Sequence, residues 1–362
     1  MLFRSTSGWT LDEQGRAFSK SLGNGVDPVD VAKRLGGEII RLWVASVDFR
    51  EDVAASENLM QRVSDNYRKL RNTFRFLLGS IGDFDPAKHE VKFADMQPLD
   101  QYMLARTAEV SKKIRASYEA FEFHRVYHTL NEFCNTELSA LYLDVLKDRL
   151  YTFAPNSPAR RSAQTAIWQI AEALVKLVAP ILSFTAEEVW QQLPKTAGRE
   201  ASVHIAEFPA FNFGDTSQLL SDWKELLVVR DGVLKQLEQE RAEKKIGKSL
   251  EALVVLTIHT KNPANVDLLK KYKDQLPELW NVSQVQLLTY DSNPDYAGPF
   301  IIQVGPAPGA KCDRCWRQVF DVGSEQKYPT VCARCAEALT EIGFAPYTKE
   351  AEIGRASCRE RV

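Results

Sequence analysis

A chain of 362 residues, 44% apolar and 26% charged, is long enough for two or three domains with cores of their own. Its net charge of −2 excludes nucleic-acid binding through overall charge, so any RNA contact must come from local basic faces. No apolar run approaches the roughly 20 residues of a membrane span, and the start Met1-Leu2-Phe3-Arg4-Ser5-Thr6-Ser7 is too short and polar for a secretory signal, so a cytoplasmic protein is expected.

The first punctuated stretch is Ala17-Phe18-Ser19-Lys20-Ser21-Leu22-Gly23-Asn24, after a strand-turn candidate, Gly8 to Arg16. A lysine among hydroxyls and backbone N–H groups, just before a helix start at Asp27-Pro28, suits an anionic ligand such as a nucleotide phosphate. Seen alone, the same residues also read as an ordinary Ser/Gly/Asn turn. Asp27 is a good N-cap and Pro28 a good first-turn residue for a helix that Gly36-Gly37 stops, and Glu38 to Ser46 forms a second apolar element.

Residues 61–79 predict a strongly amphipathic helix, with Val63, Tyr67, Leu70, Phe74 and Leu77 on one stripe. Arg68, Arg71 and Arg75 share an adjacent face, which reads either as a solvated surface or as a contact for an RNA backbone. After a polar loop, residues 99–195 carry three or four further helices. Cys134 is expected in the core; His124 and His128, four apart, have the spacing of a metal pair but no third ligand nearby, and are expected to be packed or surface histidines. Thr185 and Glu188 fit a capping box.

A linker from Pro194 to Ser217 contains a short extended run, Val203-His204-Ile205. A long polar helix from about Leu219 to Lys245 ends near Lys244, Lys245 and Lys248, cations that suit either a helix C-terminus or an RNA. Strands at 253–258 and 284–289 around a helix at 264–273 predict a small α/β unit.

The most specific signal is Cys312-Asp313-Arg314-Cys315 followed, after sixteen intervening residues, by Cys332-Ala333-Arg334-Cys335. Each pair can close a tight chelate turn, and together they offer four thiolates to a structural zinc with no open position. A reduced thiol cluster or redox pair would share the spacing. Arg314, Trp316, Arg317 and Arg334 surround the site, a set that suits stacking on single-stranded RNA or, equally, the packing of a small knuckle.

The run 17–24, with Gly15-Arg16 before it, resembles the KMSKS signature loop of class I aminoacyl-tRNA synthetases. Residues 137–151, Glu-Leu-Ser-Ala-Leu-Tyr-Leu-Asp-Val-Leu-Lys-Asp-Arg-Leu-Tyr, and the run Lys311 to Trp316 resemble the isoleucyl branch of that family in bacteria, while Pro180 to Trp190 resembles a run shared by its subgroup. The resemblance covers nearly all of residues 8–340. It implies a mainly α fold: a helical anticodon-binding bundle preceded by the end of a Rossmann-like catalytic domain and followed by the α/β unit and the zinc element. The implied domains are 1–50 with the loop and a connector, 51–195 as the helical bundle, 196–300 as helix plus α/β unit, and 301–351 as the zinc element. Residues 352–362 look like translated sequencing adapter, which would remove Cys358 from consideration.

The resemblance further implies isoleucine activation with ATP and Mg, then acyl transfer to isoleucine tRNA, by an enzyme expected to be monomeric. Lys20 is the implied catalytic residue of the ATP loop, shaped by Ser19 and Ser21; Ala17 and Phe18 replace the first lysine and the methionine of the signature. None of the five histidines forms the upstream His-x-Gly-His motif of the family, so the chain is expected to be the C-terminal part of a larger enzyme, inactive alone. Arg68, Arg71, Arg75, Arg314 and Trp316 are the candidate tRNA contacts. A stand-alone zinc-stabilised helical RNA-binding protein, or a fragment of a valyl or leucyl synthetase, are the alternatives.

Overall fold

The computed structural model describes residues 7–260, 263–291 and 300–346; Met1 to Thr6 and the tail 352–362 with Cys358 lie outside the described residues. Two compact units result. One comprises residues up to 91, 103–142 and 164–213, and the other 92–102, 143–163 and those from 214 onward.

The first unit opens with β1 (Thr10–Leu11), helices α1 (Pro28–Leu35) and α2 (Gly37–Ser46), and β2 (Val53–Ala54), which lies parallel to β1. α1 forms for the reasons its sequence carries. The Asp27 carboxylate accepts the Val29 N–H at 2.7 Å, Pro28 pre-sets the first turn, Lys33 and Arg34 meet the negative end of the dipole, and Gly36 at φ +98° ends it. α3 (Glu57–Ser80) buries Met60, Val63, Leu70, Phe74 and Leu77 along the expected stripe. Tyr67 is half-buried and bonds Thr185 Oγ1 at 2.8 Å.

Beyond the short α4 (Pro86–His89), helices α5 (Pro98–Glu119) and α6 (Phe123–Glu132) continue the chain. Residues Phe133–Tyr142 then widen into a π-helix that buries Phe133, Cys134, Leu138, Leu141 and Tyr142. Cys134 is a core residue, and burial pushes its thiol up to about 12. Next come α7 (Leu143–Val145), α8 (Lys147–Thr152), α9 (Pro158–Val178) and α10 (Ser183–Gln192). α9 is apolar around much of its circumference, with Ala166, Ile167, Ile170, Ala171, Leu174 and Leu177 all fully buried, as befits a helix surrounded by others.

Two local expectations are corrected. Thr185 is not an N-cap; it lies inside α10, whose first N–H groups are satisfied from 146 residues away. The buried Glu38 carboxylate of α2 accepts the Phe184 and Thr185 N–H groups at 2.8 and 3.0 Å and the Thr185 hydroxyl, while Glu188 pairs with Arg71 at 2.9 Å. One turn along α2, Arg41 donates to the Pro180 and Ile181 carbonyls, both at 2.8 Å. An acid thus meets the N-terminus of α10 and a base the carbonyls just after α9, each sign matched to its dipole. Val203–Ile205, expected to be extended, is a 3-10 turn, because Ser202 Oγ accepts the His204 N–H at 3.2 Å and Glu187 fixes Ser202 and the Val203 N–H.

In the second unit, α11 (Ser217–Ala242) packs on a sheet of β3 (Ala252–His259), β4 (Gln284–Tyr290) and β5 (Phe300–Pro306) in the order β4-β3-β5. β3 runs parallel to β4, a pairing that needs a crossover, and α12 (Pro263–Lys271) with α13 (Leu276–Leu279) supplies it. Ala252, Val254, Leu256 and Ile258 of β3 are buried in alternation. β5, antiparallel to β3, adds a third strand to the two that the sequence predicts. Gly232 of α11 allows this packing, because a Cβ there would stand 3.0 Å from Ile302 Cδ1.

A buried ion network ties the unit together. Arg149 of α8 donates to Asp100 at 2.9 Å and twice to Glu278 of α13 at 2.6 Å, with Arg149 2% and Asp100 0% exposed. Among the described residues, no helix is long and apolar enough to cross a membrane.

Candidate functional site

The loop at 17–24 hangs from a polar stem. Asp12, almost fully buried, accepts hydrogen bonds from the Gln14 and Arg16 N–H groups, from Arg16 Nε at 2.8 Å and from Asn24 Nδ2 at 2.8 Å. The Asn24 bond is the chief reason the Asp12 carboxyl is pushed down to about 2, with Arg16 and Gln14 adding to it against the effect of burial. Asn24 closes the stem from the other side, donating to the Ala17 carbonyl and accepting the Ser19 N–H at 2.9 Å. Above it, Ser19 and Ser21 share an Oγ–Oγ bond of 2.8 Å, the Leu22 and Gly23 N–H groups turn back to the Ser19 carbonyl, and Gly23 takes φ +60°. Lys20 stands exposed at the tip. Asp12 and Asn24 thus hold the loop although neither is a candidate from the sequence; the signal for Asn24 is its place at the end of the run 17–24.

The three arginines of α3 are all exposed. Arg68 pairs with Asp65 at 3.1 Å, and Arg71 with Glu188 and the Tyr67 hydroxyl. Arg75 has no charged partner among the described residues.

The four cysteines are brought together. A hairpin of β6 (Ala310–Lys311) and β7 (Gln318–Val319) carries Cys312 and Cys315, and Cys332 and Cys335 lie at the start of α14 (Ala333–Glu341). Gly309 enters the hairpin at φ +104°, where a Cβ would meet the Val319 carbonyl oxygen at 2.6 Å, so only glycine fits. The four Sγ atoms lie within 4.8 Å of one another, all buried. Sulfurs about 2.3 Å from a central zinc in a tetrahedron stand about 3.8 Å apart; Cys315 and Cys332 are at 3.9 Å. The Cys332 N–H also donates to Cys312 Sγ at 3.3 Å, the kind of bond that steadies a metal thiolate. Hydrogen bonds from Cys315, Cys332 and Cys335 hold the Cys312 thiol well below its usual range, and the same sharing raises Cys335. The donor set and its spacing fit zinc. Tyr328, Val331, Ala336 and Leu339 pack around it.

The arginines near the cysteines point inward. Arg314 donates to the Tyr151 and Thr152 carbonyls, and Arg317 to Asp148 at 3.1 Å and to the Val282 carbonyl at 2.7 Å. Arg334 holds Asp148 with two bonds of 2.9 Å and lies 4.3 Å from the centre of the Phe153 ring. Burial alone would raise the Asp148 carboxyl, but Arg334, with Arg317, holds it below the usual carboxylate range. Trp316 points the other way. It is 48% exposed and sits at φ +64°, with Lys248 Nζ 5.1 Å from its ring centre.

Three family descriptions match the sequence, each over one part of this arrangement. Residues 4–56 match tRNA synthetases class I (I, L, M and V), residues 100–256 the anticodon-binding domain of tRNA ligase, and residues 309–338 the zinc finger found in FPG and IleRS. The first two matches place the chain in the class I tRNA synthetases, and the chain belongs to that class. Within it the relatives are isoleucine–tRNA ligases. That of Symbiobacterium thermophilum is 44% identical over 347 residues, 94% of this chain and 37% of the relative. Those of Moorella thermoacetica and Geobacillus thermodenitrificans are each 43% identical, over 93% and 92% of this chain and 37% and 36% of their own lengths. The chain thus spans little more than a third of the relatives it matches.

Proposed function

We propose that this chain is the tRNA-handling part of an isoleucine–tRNA ligase, carrying the mobile ATP loop and the surface that meets isoleucine tRNA. In the whole enzyme, isoleucine and ATP form an adenylate and the acyl group passes to the tRNA. Charge develops on the phosphates as the adenylate forms, and Lys20, held at a loop tip whose stem is closed by Asp12 and Asn24, supplies a cation there, with Mg bound by the nucleotide. Ser19 and Ser21 shape the turn that presents it. Residues 1–50 serve as loop and connector, 51–195 as the anticodon-binding bundle, 196–300 as its helical and α/β extension, and 301–351 as the zinc element. One structural zinc, held by Cys312, Cys315, Cys332 and Cys335, organises that element. Cytoplasmic localisation follows from the substrate.

The observation that carries the RNA reading is Trp316. A bulky residue in the left-handed region costs on the order of 1–2 kcal/mol, and glycine would fill that turn without strain. An indole kept there, half exposed beside a lysine, is a platform for a nucleotide base. Arg75 on α3 supplies a phosphate contact, as do Arg68 and Arg71 through the faces their carboxylate partners leave open. Because the Arg314 guanidinium is engaged by two carbonyls, it acts in RNA binding by fixing its neighbour Trp316. Trp316→Ala should weaken isoleucine-tRNA binding by roughly tenfold at constant salt, the loss of one stacked base. Unchanged affinity, measured by filter binding, would remove the knuckle from the RNA surface.

A further inference from the structure

The three arginines interleaved with the zinc ligands share one destination, the six-residue helix α8 and its end. Arg314, inside the first cysteine pair, donates to the carbonyls of Tyr151 and Thr152. Arg317, two residues after that pair, and Arg334, inside the second pair, converge on Asp148. Asp148 also accepts the Thr152 hydroxyl, and Arg334 Nη2 reaches Thr152 Oγ1 at 3.2 Å. A carboxylate has about four lone-pair sites, and here both oxygens are fully engaged. Asp148 itself is 15% exposed, so these charge-assisted bonds are shielded from solvent.

Zinc can fix the two knuckles relative to each other, but it cannot fix them relative to the rest of the unit. The arginines take the larger share of that second task, beside the Gln318 N–H bond to Ser283 Oγ at 2.7 Å and the Gln284 side-chain bond to the Gln318 carbonyl. Trp316 lies between Arg314 and Arg317, so both of its anchored near neighbours are tied to α8, and its indole can project only outward, against Lys248. We propose that Asp148 is a positioning residue for nucleic-acid binding: by holding Arg317 and Arg334 it seats the zinc element so that Trp316 is presented beside Lys248 as a base-stacking platform. This rests on the RNA reading of Trp316 and adds to it the residue that sets the platform's orientation.

The next residue performs the matching task for the α/β unit. Arg149 holds Glu278, so consecutive residues of opposite charge on α8 seat two separate modules. The run 137–151 therefore has a physical reason to carry Asp148-Arg149 in that order, independent of any direct contact with a ligand.

The test is a double-mutant cycle on the full 362-residue chain, with zinc content measured for each protein. In the wild-type background, Trp316→Ala should weaken isoleucine-tRNA binding roughly tenfold. In the Asp148→Asn background, with zinc still bound one per chain, the same substitution should change affinity less than about twofold, because the indole is no longer held on the surface. Arg334→Gln removes the contact from the other side and should reproduce that loss of sensitivity. An equal effect of Trp316→Ala in both backgrounds would overturn the proposal. Fluorine NMR of 5-fluorotryptophan protein, with the Trp316 signal assigned through Trp316→Phe, reads the positioning without RNA. Asp148→Asn should shift and broaden that signal, and an unmoved signal overturns the proposal as well. If Trp316→Ala leaves wild-type affinity unchanged while Asp148→Asn still moves the fluorine signal, the RNA reading fails and the nucleic-acid role of Asp148 fails with it, leaving only its seating of the zinc element.

Discussion

Removing the metal with a chelator, or replacing Cys335 by serine, should unfold residues 309–346 while leaving the first unit folded. Each ordered residue costs about 1–2 kcal/mol of backbone entropy. Burying Tyr328, Val331 and Leu339 returns roughly 1.5–3 kcal/mol each, too little to close a segment whose regular structure is two two-residue strands and the nine-residue α14. Tetrahedral thiolate ligation of zinc supplies about 10 kcal/mol or more in small domains, so the metal decides whether this segment folds. Hydrogen exchange should show protection of the α14 amides and of the Cys312 and Trp316 N–H groups collapse on chelation and return on adding zinc. Full protection in a metal-free protein would show that packing alone holds the knuckle.

A second large effect is expected at Arg149. Replacing it with methionine keeps much of the volume but takes the guanidinium away from Asp100, 0% exposed, and from Glu278. Breaking a buried pair from one side costs about 3–5 kcal/mol, whereas removing both charges is far milder. Urea unfolding of Arg149→Met should therefore show a loss of that size, and Arg149→Met combined with Asp100→Leu should recover part of it. A loss below about 1 kcal/mol would mean that the network is incidental to stability.

Much of this architecture is legible in the residues. The α3 stripe, the capped start of α1 and the strand at β3 follow from local patterns, and they sit where those patterns place them; which face of β3 is buried does not, because Leu253 to Ile258 is apolar almost throughout. The cysteine spacing likewise identifies the ligands, because two tight turns need only their own residues to form. What escapes local reading is set by distant partners. The cap of α10 comes from Glu38, so the nearby Thr185 and Glu188 suggest a box that does not form. The π-helix at 133–142 contains no proline or glycine that would mark it. β5 is recruited by pairing with β3.

The arginines around the cysteines make the same point for function. Basic residues beside an aromatic ring suggest an RNA surface, and only the distant partners on α8, Asp148 for Arg317 and Arg334 and the Tyr151 and Thr152 carbonyls for Arg314, show that three of the four residues face inward. The outward-facing remainder, Trp316 with Lys248, is smaller and more specific than the charge pattern implied. Affinity at this surface should therefore depend less on salt than an arginine cluster would make it.

The most direct measurement is the affinity of the 362-residue chain for isoleucine tRNA and for valine tRNA, at one salt concentration, with zinc present and after chelation. A clear preference for isoleucine tRNA that falls on chelation is the result predicted by the proposal that the zinc element presents part of the tRNA-binding surface. Equal, weak binding to both, insensitive to chelation and lost with salt, would contradict the account.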